Sequence, residues 1–202
     1  MSEVGIVAYG AYLPKRRLTR ACIAAANSWM NPALKGQAKG TKAICNWDED
    51  SITMAVEAGR DGLKGFERGD VKSVYLASTS MPFDDRHNAG LVSAALNLDE
   101  NIFSLDISST QRAGTSGLLQ ALKSAGDGLS LYLAADHRMA KPGSGQEMQY
   151  GDGAAALLLG TENVIAKFLG GHSLARDLVD HYRSANMDFD YALEERWVRD
   201  EG

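Results

Sequence analysis

The chain has 202 residues, 45% hydrophobic and 23% charged, close to the averages of folded domains, which excludes a disordered polypeptide. A net charge of -5 argues against nucleic acid or an anionic membrane as the main partner, and no apolar run reaches membrane-spanning length. Met1-Ser2-Glu3-Val4 lacks the basic start and apolar core of a signal peptide, and Cys22 and Cys45 have neither paired nor metal-like spacing. A cytoplasmic protein in a reducing compartment is expected.

Gly5 to Gly10 and Ala11 to Pro14 predict a first strand with a bend or hairpin at a glycine. Thr19 is placed to cap a helix from Ala21 to Trp29, ended by Asn31-Pro32. Lys35, Lys39 and Lys42 follow in a loop with Gly36, Gly40 and Thr41, which reads as a solvated basic loop or as a phosphate contact. Asp48 to Lys64 is amphipathic, with Ile52, Val56 and Leu63 on one side and Asp48, Glu49 and Asp50 as an acidic first turn. Val71 to Ala77 reads as a strand, Met81 to His87 as a polar loop and Asn88 to Leu96 as a helix. Strand-length apolar runs recur at Ile102 to Asp106, Leu129 to Ala135, Ala154 to Leu159 and Val164 to Leu169. Such runs separated by helices predict an α/β layer around a mixed sheet.

Asp106-Ile107-Ser108-Ser109-Thr110-Gln111-Arg112-Ala113-Gly114-Thr115-Ser116-Gly117 reads as a strand, a tight turn and then a helix from Ala113 to Ser124. That arrangement usually presents a reactive side chain, but here the exposed position carries an amide. Three segments carry a family resemblance: Asn46-Trp47-Asp48-Glu49-Asp50-Ser51-Ile52-Thr53-Met54-Ala55-Val56-Glu57-Ala58, the elbow itself, and Tyr150-Gly151-Asp152-Gly153-Ala154-Ala155-Ala156. Their order and spacing resemble the first half of hydroxymethylglutaryl-CoA synthases, within the thiolase superfamily and related to ketoacyl synthase III. The resemblance implies a thiolase-like βαβαβαββ half-fold, a mixed sheet with helices on both faces. Residues 1–170 are expected to form this N-terminal half. Residues 171–202 then read as a charged and aromatic connector toward a second half, in a truncated product, a fragment or a split subunit.

The resemblance places a catalytic Cys at the position of Gln111 and an acid/base Glu at about Thr79. An amide forms no thioester and Thr is no carboxylate base near neutral pH, so covalent acyl transfer is excluded at this elbow. The family's His belongs to the second half. Gln111 is either an amide that hydrogen-bonds a thioester carbonyl or a residue left where a Cys was lost. For substrate, the resemblance implies a coenzyme A thioester, with Trp29 stacking on adenine, Lys35, Lys39 and Lys42 near its phosphates and Arg112 meeting a carboxylate or phosphate. The competing readings are a solvated loop for the lysines and a surface pairing for Arg112. Asp152 is expected to be structural, and Cys45 too, because the acidic turn raises its thiol pKa. His87, His137, His172 and His181 show no metal spacing, and no metal site is expected.

The resulting expectation is an acyl-CoA-binding subunit, part of an acyl-CoA transferase or lyase, for non-covalent aldol, retro-aldol or Claisen-type chemistry. A catalytically silent scaffold subunit and a Gln-type malonyl-thioester decarboxylase are the alternatives. A half-fold exposes a large apolar face, so an oligomer is expected: a homodimer or a partner chain carrying the second half. By analogy a small zinc-ribbon and OB-fold protein is a further possible partner.

Overall fold

The computed structural model describes residues 4–176 and 179–192. The charged stretch from Glu194 to Gly202, part of the expected connector, lies outside the described residues. The chain divides into two compact units. The first comprises the described residues up to Arg17, with Ala43–His137 and Gly151–Gly170. The second comprises Leu18–Lys42, Arg138–Tyr150 and the described residues from Gly171 onward.

The first unit holds the main sheet, in the order β5-β4-β6-β7-β1-β8. Its strands are β1 (Gly5–Tyr12), β4 (Val71–Ala77), β5 (Phe103–Ile107), β6 (Leu129–Asp136), β7 (Gly153–Gly160) and β8 (Ala166–Lys167). β4 runs parallel to both β5 and β6, whereas β7 is antiparallel to β6 and to β1. The helices between these strands are α2 (Ser51–Gly62), α3 (Asn88–Ala95) and α4 (Ala113–Ser124). The order β1-α2-β4-α3-β5-α4-β6-β7 is the expected half-fold, and the remaining elements are additions to it.

Alternation along the strands decides which helix covers which face. Val74 and Leu76 of β4, with Leu131 and Leu133 of β6, pack against Ile52, Ala55 and Val56 of α2 and Val92 of α3. Tyr75 and Ala77, with Tyr132, point to the other face and meet Ala113 and Ala121 of α4. Because β4 is covered on both faces, six of its seven residues are buried, and it reads as a continuous apolar run rather than an alternating one.

α2 begins one turn later than expected. Asp50 is its N-cap, accepting from Thr53 N at 2.8 Å, while Thr53 Oγ1 accepts from Asp50 N at 2.7 Å to close a capping box. Glu49 turns away and accepts from Asn46 N at 2.7 Å and from the Tyr12 hydroxyl. The Tyr12 hydroxyl and the Asn46 N–H hold the Glu49 carboxyl below its ordinary range, and the same bond to Glu49 is the main cause pushing Tyr12 up to about 12. The acidic trio therefore caps and anchors rather than filling a first turn. At its other end α2 lies against β1, and a Cβ at Gly10 would sit 2.2 Å from Gly62 N.

The second unit is built from α1 (Arg20–Asn27), a 3-10 turn at Pro32–Gln37 and α5 (Gly145–Gln149). Thr19 caps α1 as expected, and Ile23, Ala24, Leu34 and Met148 form a small core. Lys42 donates to Glu147 O at 2.7 Å, so it belongs to this unit's internal structure rather than to a solvated basic loop. The hairpin β9 (His181–Tyr182) and β10 (Tyr191–Ala192) belongs here too. Near β10, Asp190 accepts from Arg138 at 2.6 Å on each oxygen and from Tyr150 Oη at 2.5 Å. Burial pushes the Asp190 carboxyl up, but the Tyr150 hydroxyl and the Arg138 guanidinium outweigh it and hold the group below the ordinary carboxylate range.

Candidate active site

β4, β5 and β6 are parallel and in register, so Ala77, Ile107 and Ala134 end at one edge of the sheet. The carboxyl ends of parallel strands are where open α/β sheets place their ligand crevices. Three segments leave this edge together: Ser78-Thr79-Ser80 after β4, Ser108 to Arg112 after β5, and Asp136-His137 at the end of β6. Ser78 N donates to Ile107 O at 3.0 Å and ties the first segment to the second.

The β5 segment is the expected elbow. Ser109 has φ of +61°, the left-handed region that a non-glycine residue enters at a cost of order 1–3 kcal/mol. α4 then starts at Ala113, with the Arg112 backbone as its cap. Gln111 and Arg112 are both exposed at the helix entrance, where the helix dipole favours negative charge. Two contacts fix the helix behind them. The Tyr132 hydroxyl, pushed up to about 12 by burial, donates to Gly114 O, and a Cβ at Gly117 would come within 2.7 Å of Ile107 Cδ1. On the β5 side, Asp106 accepts from Asn88 N at 2.7 Å and Ala89 N at 2.6 Å, which caps α3.

The β4 segment contributes a feature that is not legible in its sequence. Asp136 Oδ1 accepts from Thr79 N at 2.7 Å, Thr79 Oγ1 at 2.9 Å, Ser80 Oγ at 3.0 Å and Ser78 Oγ at 3.2 Å. Ser80 Oγ in turn accepts from His137 N at 2.8 Å. Thr79 thus stands as a double donor to a carboxylate from the neighbouring strand. The signal available in the sequence was Asp136 itself, a carboxylate at the end of a buried strand, but its partners come from 56 to 58 residues away.

Beside this cluster, Asp152 accepts from Cys45 N at 2.7 Å, and Asp152 N donates to Ala43 O at 3.1 Å. Asp152 is therefore a buried anchor for the segment that enters α2. The Cys45 thiol is pushed up to about 12, first by burial and then by Asp152, with Glu49 and Asp50 adding less. The direction expected from the sequence holds, but the acidic turn is the minor cause. A free thiol ionises near about 8.5, so the Cys45 thiolate fraction at neutral pH falls by roughly three orders of magnitude. Alkylation at pH 7.5 is expected to label the exposed Cys22 well before Cys45, with peptide mass spectrometry reading the order.

In the second unit, Trp29 and Lys35 line one open cleft of about 590 Å³ with Ala24, Ala25, Ser28 and Ala38. The Trp29 ring is 82% exposed, as a stacking platform requires. Lys39 is exposed and does not line this cleft, and its carbonyl accepts from Arg20 Nη1 at 3.2 Å.

This architecture defines a thiolase-like α/β protein. The structure superimposes on MvaS in complex with 3-hydroxy-3-methylglutaryl coenzyme A at a TM-score of 0.82 and 20% identity, over 95% of this chain and 48% of the other. It matches the 3-oxoacyl-(acyl carrier protein) synthase III FabH of Pseudomonas aeruginosa at a TM-score of 0.75 and 22% identity, over 94% and 63%. In sequence, the chain is 35% identical to hydroxymethylglutaryl-CoA synthase of Methanocaldococcus jannaschii over 185 residues, 89% of this chain and 54% of that protein. The corresponding synthase of Pyrobaculum aerophilum is 31% identical over 191 residues, 91% and 54%. No family model matches the chain. The chain is thus similar in sequence to about half of hydroxymethylglutaryl-CoA synthases, as an N-terminal half, and its fold is thiolase-like. The chain spans about half the length of the curated relatives it matches. Among the described residues no helix is long and apolar enough to cross a membrane.

Proposed function

We propose that this cytoplasmic chain is the acyl-CoA-binding half of a hydroxymethylglutaryl-CoA synthase-like assembly that makes or breaks carbon–carbon bonds without an acyl-enzyme. What supports this reading is that the segments bearing Gln111, Thr79 and Asp136 leave the same ends of three adjacent parallel strands, with Thr79 bonded to Asp136. Asp136 takes the α-proton of a bound thioester, and the Gln111 amide donates a hydrogen bond to the enolate oxygen as charge develops there. The enolate carbon then adds to a carbonyl of the second substrate, and the resulting alkoxide takes a proton from an acid of the second half. In the cleavage direction the same groups act in reverse. Thr79 is a positioning residue that holds Asp136 by its hydroxyl and its N–H.

The cleft of Trp29 and Lys35 supports coenzyme A as the carrier, with the ring stacking on adenine and the ammonium meeting phosphate. Within the same unit, the exposed Lys39 is proposed for a further phosphate, and Arg112, at the elbow of the first unit, for a substrate carboxylate or phosphate. A partner is proposed as well, either a second copy or a chain carrying the second half, with a small zinc-ribbon/OB-fold protein as a further member. β5 lies at the sheet edge, and its Phe103 and Leu105 are 56% and 36% exposed.

Isothermal titration of the chain and its co-purified assembly with coenzyme A, acetyl-CoA, acetoacetyl-CoA and malonyl-CoA tests the reading. Binding is expected, weakened about tenfold or more by Trp29→Ala, since loss of a stacking aromatic costs about 1–3 kcal/mol. No heat with any thioester leaves only a silent scaffold. Conversion of malonyl-CoA to acetyl-CoA in place of aldol chemistry selects the decarboxylase.

A further inference from the structure

We propose that Cys45, His137 and Asp152 bind a single zinc-class divalent cation. Their donor atoms, one thiol sulfur, one imidazole nitrogen and one carboxylate oxygen, all lie within 4.8 Å of one another. The three residues come from three segments of the first unit: before α2, after β6 and before β7. No spacing rule finds such a set, because its members are 92 and 15 residues apart in the chain.

Two features separate this cluster from a chance grouping. His137 Nδ1 is buried and lies 3.0 Å from Asp152 Oδ2, so the imidazole nitrogen and the carboxylate already face one another inside the cluster. The backbones that carry the donors are also fixed in advance. Cys45 N is bound to Asp152 Oδ2, Asp152 N to Ala43 O, and His137 N to Ser80 Oγ. Asp152 is 8% exposed, whereas the His137 side chain is 40% exposed, so the site is anchored on one side and open on the other.

The donor set selects the metal class. Sulfur with imidazole disfavours magnesium and calcium, while zinc takes S, N and O together, at about 2.3 Å to sulfur and about 2.0–2.1 Å to nitrogen. Closing on such an ion draws the donors inward by about an ångström, a movement open to the half-exposed imidazole. On binding, the Cys45 sulfur loses its proton to solvent and the thiolate becomes a ligand. Three protein ligands leave a fourth position for water or a substrate oxygen.

Cobalt(II) titration of the metal-free full chain, with zinc as competitor, tests the site without any acyl-CoA. One equivalent is expected to produce a thiolate-to-cobalt charge-transfer band that zinc abolishes. Cys45→Ser removes the band. His137→Gln weakens zinc affinity by more than about tenfold, since the loss of even an outer-shell partner costs about 10–100-fold. Cys22→Ser leaves both unchanged. Should Cys45→Ser fail to fold, His137→Gln decides alone, because its side chain is half exposed. A band that is missing in the wild-type chain, survives His137→Gln or disappears with Cys22→Ser overturns the proposal.

Discussion

Asp136→Asn is expected to lower turnover of the assembled protein by about 10²–10⁴-fold, the contribution of a positioned general base. The substitution preserves shape, and its Oδ1 can still accept from Thr79 N and from one of the neighbouring hydroxyls. What is lost is the carboxylate that takes the proton. Some thermal stability is lost with the charge-assisted bonds, but acyl-CoA affinity should stay close to wild type while the rate of the folded protein collapses. Thr79→Val separates positioning from chemistry. It removes the 2.9 Å hydroxyl bond but keeps the 2.7 Å backbone bond, so a smaller loss in rate is expected, with KM little changed. A purely structural Asp136 gives a different pattern, in which the Asn variant melts earlier but its folded fraction turns over normally.

Gly10→Ala should be the most damaging single-methyl change for the fold. Its Cβ would stand 2.2 Å from Gly62 N and 2.5 Å from Ala58 O, both backbone atoms of α2 or its last turn. Backbone cannot rotate away as a flexible side chain does, so α2 must lift from β1 and open the face built on Ala55, Ala58 and Ala156. A loss of about 3–5 kcal/mol is expected, at the high end for point substitutions. For a chain of this size that is a fall of about 10 °C in Tm. Gly36→Ala is the control, since nothing lies within 4 Å of its added Cβ, and it should change stability by less than about 0.5 kcal/mol.

The parts of the fold that were legible in the sequence are those where burial writes a continuous pattern. β4 at Val71–Ala77 and α4 at Ala113–Ser124 fall where expected, one because it is covered on both faces and the other because a small-residue stripe follows a strand. Short elements stabilised by tertiary contacts were not legible. β2 (Arg16–Thr19), β3 (Thr41–Ile44), α5, β9 and β10 have two to five residues each, too few for a period to declare itself. The run from Val164 to Leu169 contributes only the two residues of β8.

The site divides in the same way. The elbow at Gln111 is a local strand-turn-helix pattern and could be read directly. The clamp on Asp136 and the cluster of Cys45, His137 and Asp152 depend on strand register, which brings together residues far apart in the chain. Thr79 shows the difference: alone it marks a missing Glu, but beside β6 it holds a carboxylate in place.

Solvent deuterium uptake at the α-carbon of acetyl-CoA, catalysed by the co-purified assembly and followed with intact-protein mass spectrometry, tests the central claim most directly. The expected result is exchange that disappears in Asp136→Asn, with no acetyl mass ever appearing on the chain. Acetyl mass on the chain, or equal exchange by the Asp136→Asn protein, would contradict it.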